Sequence, residues 1–358
     1  MSVTLSRIAI TALVAAGIGQ AAVPPDVAAK LREMGRGVCP AGTAILYKPM
    51  QLKAPAGVKI ERDIKYESDA RTVLDVFSGE KGGGSRTVLI YVSGGAGNKI
   101  EPVPDGDAFY DNIMLWAVKN NMVGVNVQRR NVPGWDGPAK DIATAVQWVQ
   151  ANISKYKGNP DRMFIWSHSA GNPPTATYIG HPELYGPKGV GLKGAIFMAP
   201  PNFNIAPVTV PPPTAPPGGG PVVGNGAGCQ GPGGGAAKGG PGGGPGGKGG
   251  DAKAGDGKGK GGGFGGGRAP VDPAVQLAQS NLPGLSKVKM KFFLGAGELD
   301  PATMIAFNDV LKEQLCKAGN CPTLVVFKDH SHMSEVFSPN TPDDSVTGPI
   351  LKWMKSVK

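Results

Sequence analysis

The sequence predicts an α/β fold, a mostly parallel central sheet flanked by helices, with its working residues at the carboxyl ends of strands. Three observations carry that prediction. Apolar runs of strand length at 87–92, 164–166, 290–294 and 323–327 each open into a turn rich in small or polar residues. One of them, Phe164-Ile165-Trp166, runs into Ser167-His168-Ser169-Ala170-Gly171 with a helix expected at once, a strand–turn–helix unit that presents a serine. And about 270 residues remain once a leader and a low-complexity tract are set aside, enough for one sizeable core.

The elements follow in order. Residues 1–21 read as a secretory signal peptide: Arg7 precedes the apolar run 8–16, and Gly19-Gln20-Ala21 offers a small-x-small site for cleavage after Ala21. The run falls short of the roughly 20 residues a membrane span requires, and no later segment reaches that length. A secreted or periplasmic location is implied. The strand Thr87-Val88-Leu89-Ile90-Tyr91-Val92 opens into Ser93-Gly94-Gly95-Ala96-Gly97, where glycines let backbone N–H groups face a substrate oxygen. After Trp166, the small residues Ala170 and Gly171 let the chain turn tightly, and Ser167 stands where such elbows usually carry a first glycine.

Asn172-Pro173-Pro174 falls in the first turns of the next helix. A proline at the fourth or fifth helical position costs about 3 kcal/mol, so this helix is expected either to begin with an irregular turn or to be shortened. A further strand covers 194–200. Residues 206–270 then form a low-complexity Gly/Pro/Lys-rich insertion, in which 211–270 hold 28 of the chain's 57 glycines. With so few side chains to bury, the tract cannot repay the entropy of ordering, and a disordered loop is expected; it has no strict three-residue period of the collagen type.

The strand Met290-Lys291-Phe292-Phe293-Leu294 leads into Gly295-Ala296-Gly297-Glu298-Leu299-Asp300-Pro301, and Thr323-Leu324-Val325-Val326-Phe327 leads into Lys328-Asp329-His330-Ser331-His332. Serine, acid and histidine therefore follow one another in the chain order Ser…Asp…His, each at a strand's carboxyl end. Four cysteines suit an exported chain. Cys316 and Cys321, at the end of an expected helix, suit a local bridge; Cys39 and Cys229 remain as the second pair, although spacing alone does not fix connectivity.

With these motifs in this order, the chain resembles the α/β-hydrolase carboxylesterases, especially the hormone-sensitive-lipase-like and feruloyl-esterase-like serine esterases, over roughly residues 58–205 and 286–340. The resemblance rests on 93–97 in place of the family's His-Gly-Gly-Gly and on Val125-Asn126-Val127-Gln128-Arg129-Arg130 where the family often has a Tyr-Arg pair. Asp141 and Ala145-Val146-Gln147-Trp148-Val149 match the helix before the elbow, and Asn159-Pro160-Asp161-Arg162 the turn that enters its strand. It implies an α/β-hydrolase catalytic domain over 22–205 and 271–358 that cleaves carboxylic esters through an acyl-enzyme. Ser169 would be the nucleophile, Asp300 the acid and His332 the base, with Gly94, Gly95 and Ala170 around the oxyanion.

Ser93, Ala96 and Ser167 depart from the family's pattern. Glu298 competes with Asp300, and His330 with His332; the family's motif spacing favours Asp300 and His332. Glu298 is then a solvated or ion-paired carboxylate, and His330 a loop residue shaping the mouth. His168 is expected to be partly buried and His181 to lie on a surface turn, with Asp141 capping a helix or pairing with an arginine.

The implied chemistry needs neither a metal nor an organic cofactor. Neither Gly82-Gly83-Gly84 nor 93–97 has the P-loop lysine or the G-x-G-x-x-G opening a helix that nucleotide loops require. The net charge is +10, and the insertion contributes Lys238, Lys248, Lys253, Lys258, Lys260 and Arg268 against Asp251 and Asp256, or 6 − 2 = +4. That balance suits weak attraction to anionic surfaces, but with 6% aromatics and no recognisable module, nucleic acid is not an expected partner. A small-molecule or polymer-linked ester is. Many α/β hydrolases carry a lid where this insertion falls; a tolerated surface loop is favoured, because long loops add little closure entropy. An amidase or peptidase with the same triad, and a non-catalytic binding protein on the same fold, are the alternatives; the complete Ser-Asp-His set speaks against the second.

Overall fold

The computed structural model describes residues 22–80, 84–101, 109–210 and 272–358. The signal peptide, residues 211–270 of the insertion and Cys229 lie outside the described residues. Eight strands form one sheet: β1 (Val58–Lys65), β2 (Val73–Gly79), β3 (Arg86–Val92), β4 (Val123–Val127), β5 (Gly158–His168), β6 (Gly194–Met198), β7 (Lys291–Gly297) and β8 (Thr323–Phe327). Their spatial order is β1-β2-β4-β3-β5-β6-β7-β8. β2 runs antiparallel to both β1 and β4, and every other neighbouring pair is parallel. This is the mostly parallel sheet that the apolar runs predict, and it has the α/β-hydrolase form that the resemblance implies.

The inner strands are apolar on both faces because helices cover both. In β3, Leu89 and Tyr91 pack into one layer with the helices Pro25–Met34, Pro40–Tyr47, Asp111–Lys119 and Thr347–Ser356. Val88, Ile90 and Val92 alternate into the other, against Gly137–Asn152, Asn172–Gly180 and Ala302–Lys317. The helix Gly137–Asn152 turns Ala139, Ile142, Ala143, Val146 and Val149 inward, a spacing of three and four that makes one apolar stripe.

Register sets the site. Val92 pairs with Ser167, Ser167 with Phe197, His168 with Met198, Met198 with Gly295, and Gly297 with Phe327. The parallel strands therefore end level with one another, and the turns after β3, β5, β6, β7 and β8 leave from the same edge. A Cys316–Cys321 disulfide clips the helix Ala302–Lys317 to the start of β8, the local bridge expected of that spacing. Among the described residues, no helix is long and apolar enough to cross a membrane.

Candidate active site

β5 ends at His168, and Ser169 takes a φ of 51°, in the left-handed region that a serine adopts only when its surroundings hold it there. A 3-10 turn over Ser169–Gly171 precedes the helix Asn172–Gly180. Pro173 and Pro174 thus fall in the helix's first turn, where N–H groups have no intrahelical partner to lose. Of the two outcomes the prolines allowed, the irregular start is the one adopted. Gly171 is needed because a Cβ there would lie 2.6 Å from the Val92 carbonyl oxygen and 2.7 Å from that of Ser93. Ser167, in place of the usual glycine, is fully buried and donates its hydroxyl to Asn172 Oδ1 (2.7 Å). Asn172 Nδ2 in turn donates to the carbonyl oxygens of Ser169 (2.9 Å) and Met198 (2.7 Å).

The turn after β3 packs directly on this elbow. A Cβ on Gly94 would sit 2.7 Å from Ser169 Cβ and 3.3 Å from its Oγ, so the glycine is what lets the loop approach. Ser93, standing for the family's histidine, donates its hydroxyl to the Asn98 carbonyl (2.6 Å) and closes the loop on itself. Arg129 joins the two turns. Its buried guanidinium donates to the carbonyl oxygens of Ala170 (3.2 Å) and Gly95 (3.4 Å), and its backbone N–H donates to that of Gly97 (3.0 Å). Burial lowers its pKa to about 10. Gly94, Gly95 and Ala170 therefore meet at one junction beside Ser169.

Asp300 and His332 are brought together from the turns after β7 and β8. His332 Nδ1 bonds Asp300 Oδ1 at 2.7 Å, and the Gly297 N–H donates to Oδ2 at 2.7 Å. Both side chains are buried. Burial disfavours the charged form of Asp300, yet the hydrogen bond and charge of His332, then Glu335 and the Gly297 N–H, hold its pKa below the ordinary value. His168 ties the elbow to this pair: its Nε2 donates to the His332 carbonyl at 2.9 Å, and the two rings lie 4.5 Å apart. Burial, with the His332 charge second, lowers the His168 pKa to about 3, so the ring is neutral at working pH. It is fully buried, not partly. The Ser169 hydroxyl and the His332 ring, held on adjoining turns, do not themselves form a hydrogen bond; such bonds often tighten only when substrate binds.

The competing residues separate clearly. Glu298 accepts the Asp329 N–H (2.9 Å) and takes no part in the pair. His330 is not at a mouth: it is buried, bonded to Ser334 Oγ (2.9 Å) and Ser345 Oγ (2.7 Å), because the segment around Asp343 folds over it. His181 is likewise buried, packed against Trp135 and bonded to Glu183 (2.8 Å), so the surface turn expected of it is corrected. Asp141 pairs with Arg130 through both carboxylate oxygens. A cavity of about 820 Å³ opens at the opposite edge of the sheet, lined by Lys193, Lys291 and Trp353, and holds none of these groups. Three residues at the site escaped the sequence reading as functional: Asn172, Arg129 and Glu335. The signal for Glu335 is a carboxylate set in the apolar run 333–337.

Residues 74–176, from β2 through the elbow, match the BD-FAE family model. The chain is 31% identical over 114 residues to cocaine esterase of Homo sapiens, covering 29% of this chain and 20% of that protein. It is 31% identical over 115 residues to acylcarnitine hydrolase of Mus musculus, covering 29% and 19%. The chain thus spans about a fifth of the length of the curated relatives it matches. Among solved structures it is similar to esterase B from Lactobacillus Rhamnosis, with a TM-score of 0.57 at 14% identity over 88% of this chain and 91% of that one. It is similar also to Est2 of Thermogutta terrifontis, at 0.53 and 14% over 84% and 92%. At such identities the likeness is one of fold.

Proposed function

We propose that this chain, an α/β-hydrolase fold whose residues 74–176 match the BD-FAE family model, cleaves carboxylic esters through Ser169, His332 and Asp300. One observation carries the reading: a buried Asp300–His332 pair, 2.7 Å apart, stands on the turns beside a strained serine at the carboxyl edge of the sheet. In the reaction, His332 takes the Ser169 proton as Oγ attacks the acyl carbonyl, and Asp300 fixes the ring's tautomer and stabilises its charged form. The N–H groups of Ala170 and of Gly94 or Gly95 receive the oxyanion; one such donor is worth about 2.7–4 kcal/mol. The alcohol leaves with the proton from His332, and water, activated by the same ring, releases the acid. The names of the curated relatives, an esterase and a hydrolase of an ester of carnitine, support esters over amides.

The test is hydrolysis of short and longer p-nitrophenyl esters by wild type and Ser169→Ala, with fluorophosphonate labelling. Activity and label that both vanish in the variant support the reading. Equal activity in the variant, or a folded wild type that neither cleaves nor labels, overturns it. Export through the 1–21 leader belongs to the same proposal, and the Cys316–Cys321 bridge suits an oxidising compartment. A mature amino terminus found at Met1 would count against it.

A further inference from the structure

We propose that Glu335 is held as a neutral carboxylic acid whose proton is shared with Asp300, so that the acid arm of the triad is a pair of carboxyls carrying one negative charge. The inference rests on the triad reading above. Glu335 lies three residues after His332, in the short helix Ser334–Phe337, and both it and Asp300 are 0% exposed. Asp300 already receives two donors, His332 Nδ1 and the Gly297 N–H. Glu335 receives none: among the described residues neither of its oxygens has a hydrogen-bond partner of normal geometry, and it forms no ion pair. Its carboxyl nevertheless reaches the same spot. An ideal Cβ on Gly297 would lie 3.1 Å from Glu335 Oε1 and would run into the His330 carbonyl, so the glycine leaves room for this carboxyl beside the donor that Asp300 uses.

Among the described residues no cation pairs with Glu335; the Arg36 guanidinium, from the turn after the helix Pro25–Met34, donates to the backbone carbonyl of Asp300 (2.9 Å) and not to either carboxyl. Asp300 and the Gly297 N–H act on it from the turn after β7. On β3, burial first and then the charges of Glu101 and Glu335 push the Tyr91 phenol up, so it too offers no positive charge. On its own loop stand His332, already bonded to Asp300, and His330, bonded to Ser334 and Ser345 beside Asp343. Two adjoining buried carboxyls cannot both ionise. Asp300, with two donors at 2.7 Å, keeps the charge; Glu335, with no donor within hydrogen-bond distance among the described residues, keeps the proton. Burial, reinforced by the Asp300 charge, accordingly pushes Glu335 well above the usual carboxylate range. When His332 is protonated in the transition state, imidazolium and Asp300 balance and Glu335 adds no excess charge. Glu335 is a positioning residue: its proton steadies the Asp300 oxygens.

Two measurements test this. Infrared difference spectra of wild type against Glu335→Gln at neutral pH should show a carboxylic-acid C=O stretch in the wild type that the variant lacks; its absence overturns the proposal whether or not the protein cleaves esters. In kinetics, Glu335→Ala should lower kcat by about 10- to 100-fold, the range for a lost bond to a charged group, with KM little changed. Glu335→Gln, which restores an N–H donor, should recover most of that loss, with the acid limb of kcat/KM within about 0.3 pH unit of wild type. A charged Glu335 predicts otherwise: its removal takes a negative charge from beside the imidazolium and moves that limb down by about one pH unit. If the wild type neither cleaves esters nor labels at Ser169, the triad reading falls, while the infrared band still decides where the proton sits.

Discussion

Asp300→Asn isolates what the acid does for the base. The carboxylate accepts two hydrogen bonds at 2.7 Å, one from His332 Nδ1 and one from the Gly297 N–H. Asparagine offers a single acceptor in the same space. The Gly297 donor belongs to the backbone at the end of β7 and cannot turn away, so the amide oxygen is drawn to it and the amide NH2 faces His332. Nδ1 must then accept, the ring proton moves to Nε2, and the ring presents a donor where the Ser169 proton has to be received. In a serine protease the equivalent change of tautomer lowers kcat by about 10⁴. At about 1.36 kcal/mol per decade that is about 5.5 kcal/mol of transition-state stabilisation. The assay is kcat and KM for p-nitrophenyl butyrate, with thermal unfolding run on the same samples. The expected result is a fall of three to four decades, almost all in kcat, in a protein that melts near the wild-type temperature. A variant within about ten-fold of wild type would refute the reasoning, because the pair would then not set the tautomer.

Three further outcomes follow from the geometry. Gly94→Ala puts a methyl 2.7 Å from Ser169 Cβ; overpacking of about 1–3 kcal/mol imposed on the nucleophile should cut kcat by about 10- to 100-fold, and unchanged turnover would show that the loop is free to retreat. His168, with a folded pKa near 3 against 6.5 in the open chain, binds fewer protons folded than unfolded across that window. Its contribution to stability is therefore present above about 6.5 and is lost as pH falls toward 3, at up to about 1.4 kcal/mol per unit. Urea midpoints at pH 7, 5 and 4 should fall less steeply in His168→Gln than in wild type; identical slopes would mean that the ring is solvated. Opening the Cys316–Cys321 bridge by replacing both residues with alanine should cost about 2 kcal/mol, as a short closed loop predicts, and leave ester hydrolysis within about two-fold. A large loss of activity would mean that the start of β8 holds His332 in place.

The turn-bearing strands were legible because the signals there are local: an apolar run for a buried strand, then residues small enough for a tight turn, as at 87–97 and 164–171. That Asp300 and His332 would meet was legible from chain order, since parallel strands of one register end at one edge. The choice between His330 and His332 is another matter. Two residues apart on one loop, they go to different neighbours, and what buries His330 is Ser345, 15 residues further on. His181 is covered by Trp135, far earlier in the chain. Arg129 is similar: its backbone continues β4, but its guanidinium serves carbonyls 34 and 41 residues away. Glu335 needs the same long-range knowledge, because a carboxylate in an apolar run means little until Asp300 is known to stand beside it.

The departures at the elbow make sense as a set. With glycine at 167, Asn172 Oδ1 would lose the donor it has among the described residues, at a buried site, a cost of about 1–3 kcal/mol. With alanine at 172, the Ser167 hydroxyl would lose its 2.7 Å bond and the carbonyls of Ser169 and Met198 would both lose a donor. Each substitution is costly alone, and together they form one closed group. That group also bears on the strain at Ser169. A left-handed serine is disfavoured unless its neighbours hold it, and Asn172 Nδ2 holds it directly by tying the Ser169 carbonyl to the end of β6. The two prolines complete the arrangement. They have no N–H to satisfy in the first turn, so the asparagine side chain, which at a helix start commonly caps such donors, is free to turn back and brace the elbow. Ser167, Asn172 and the Pro173-Pro174 pair together do the work that a glycine-rich turn does elsewhere, by hydrogen bonding where the family's pattern relies on conformational freedom.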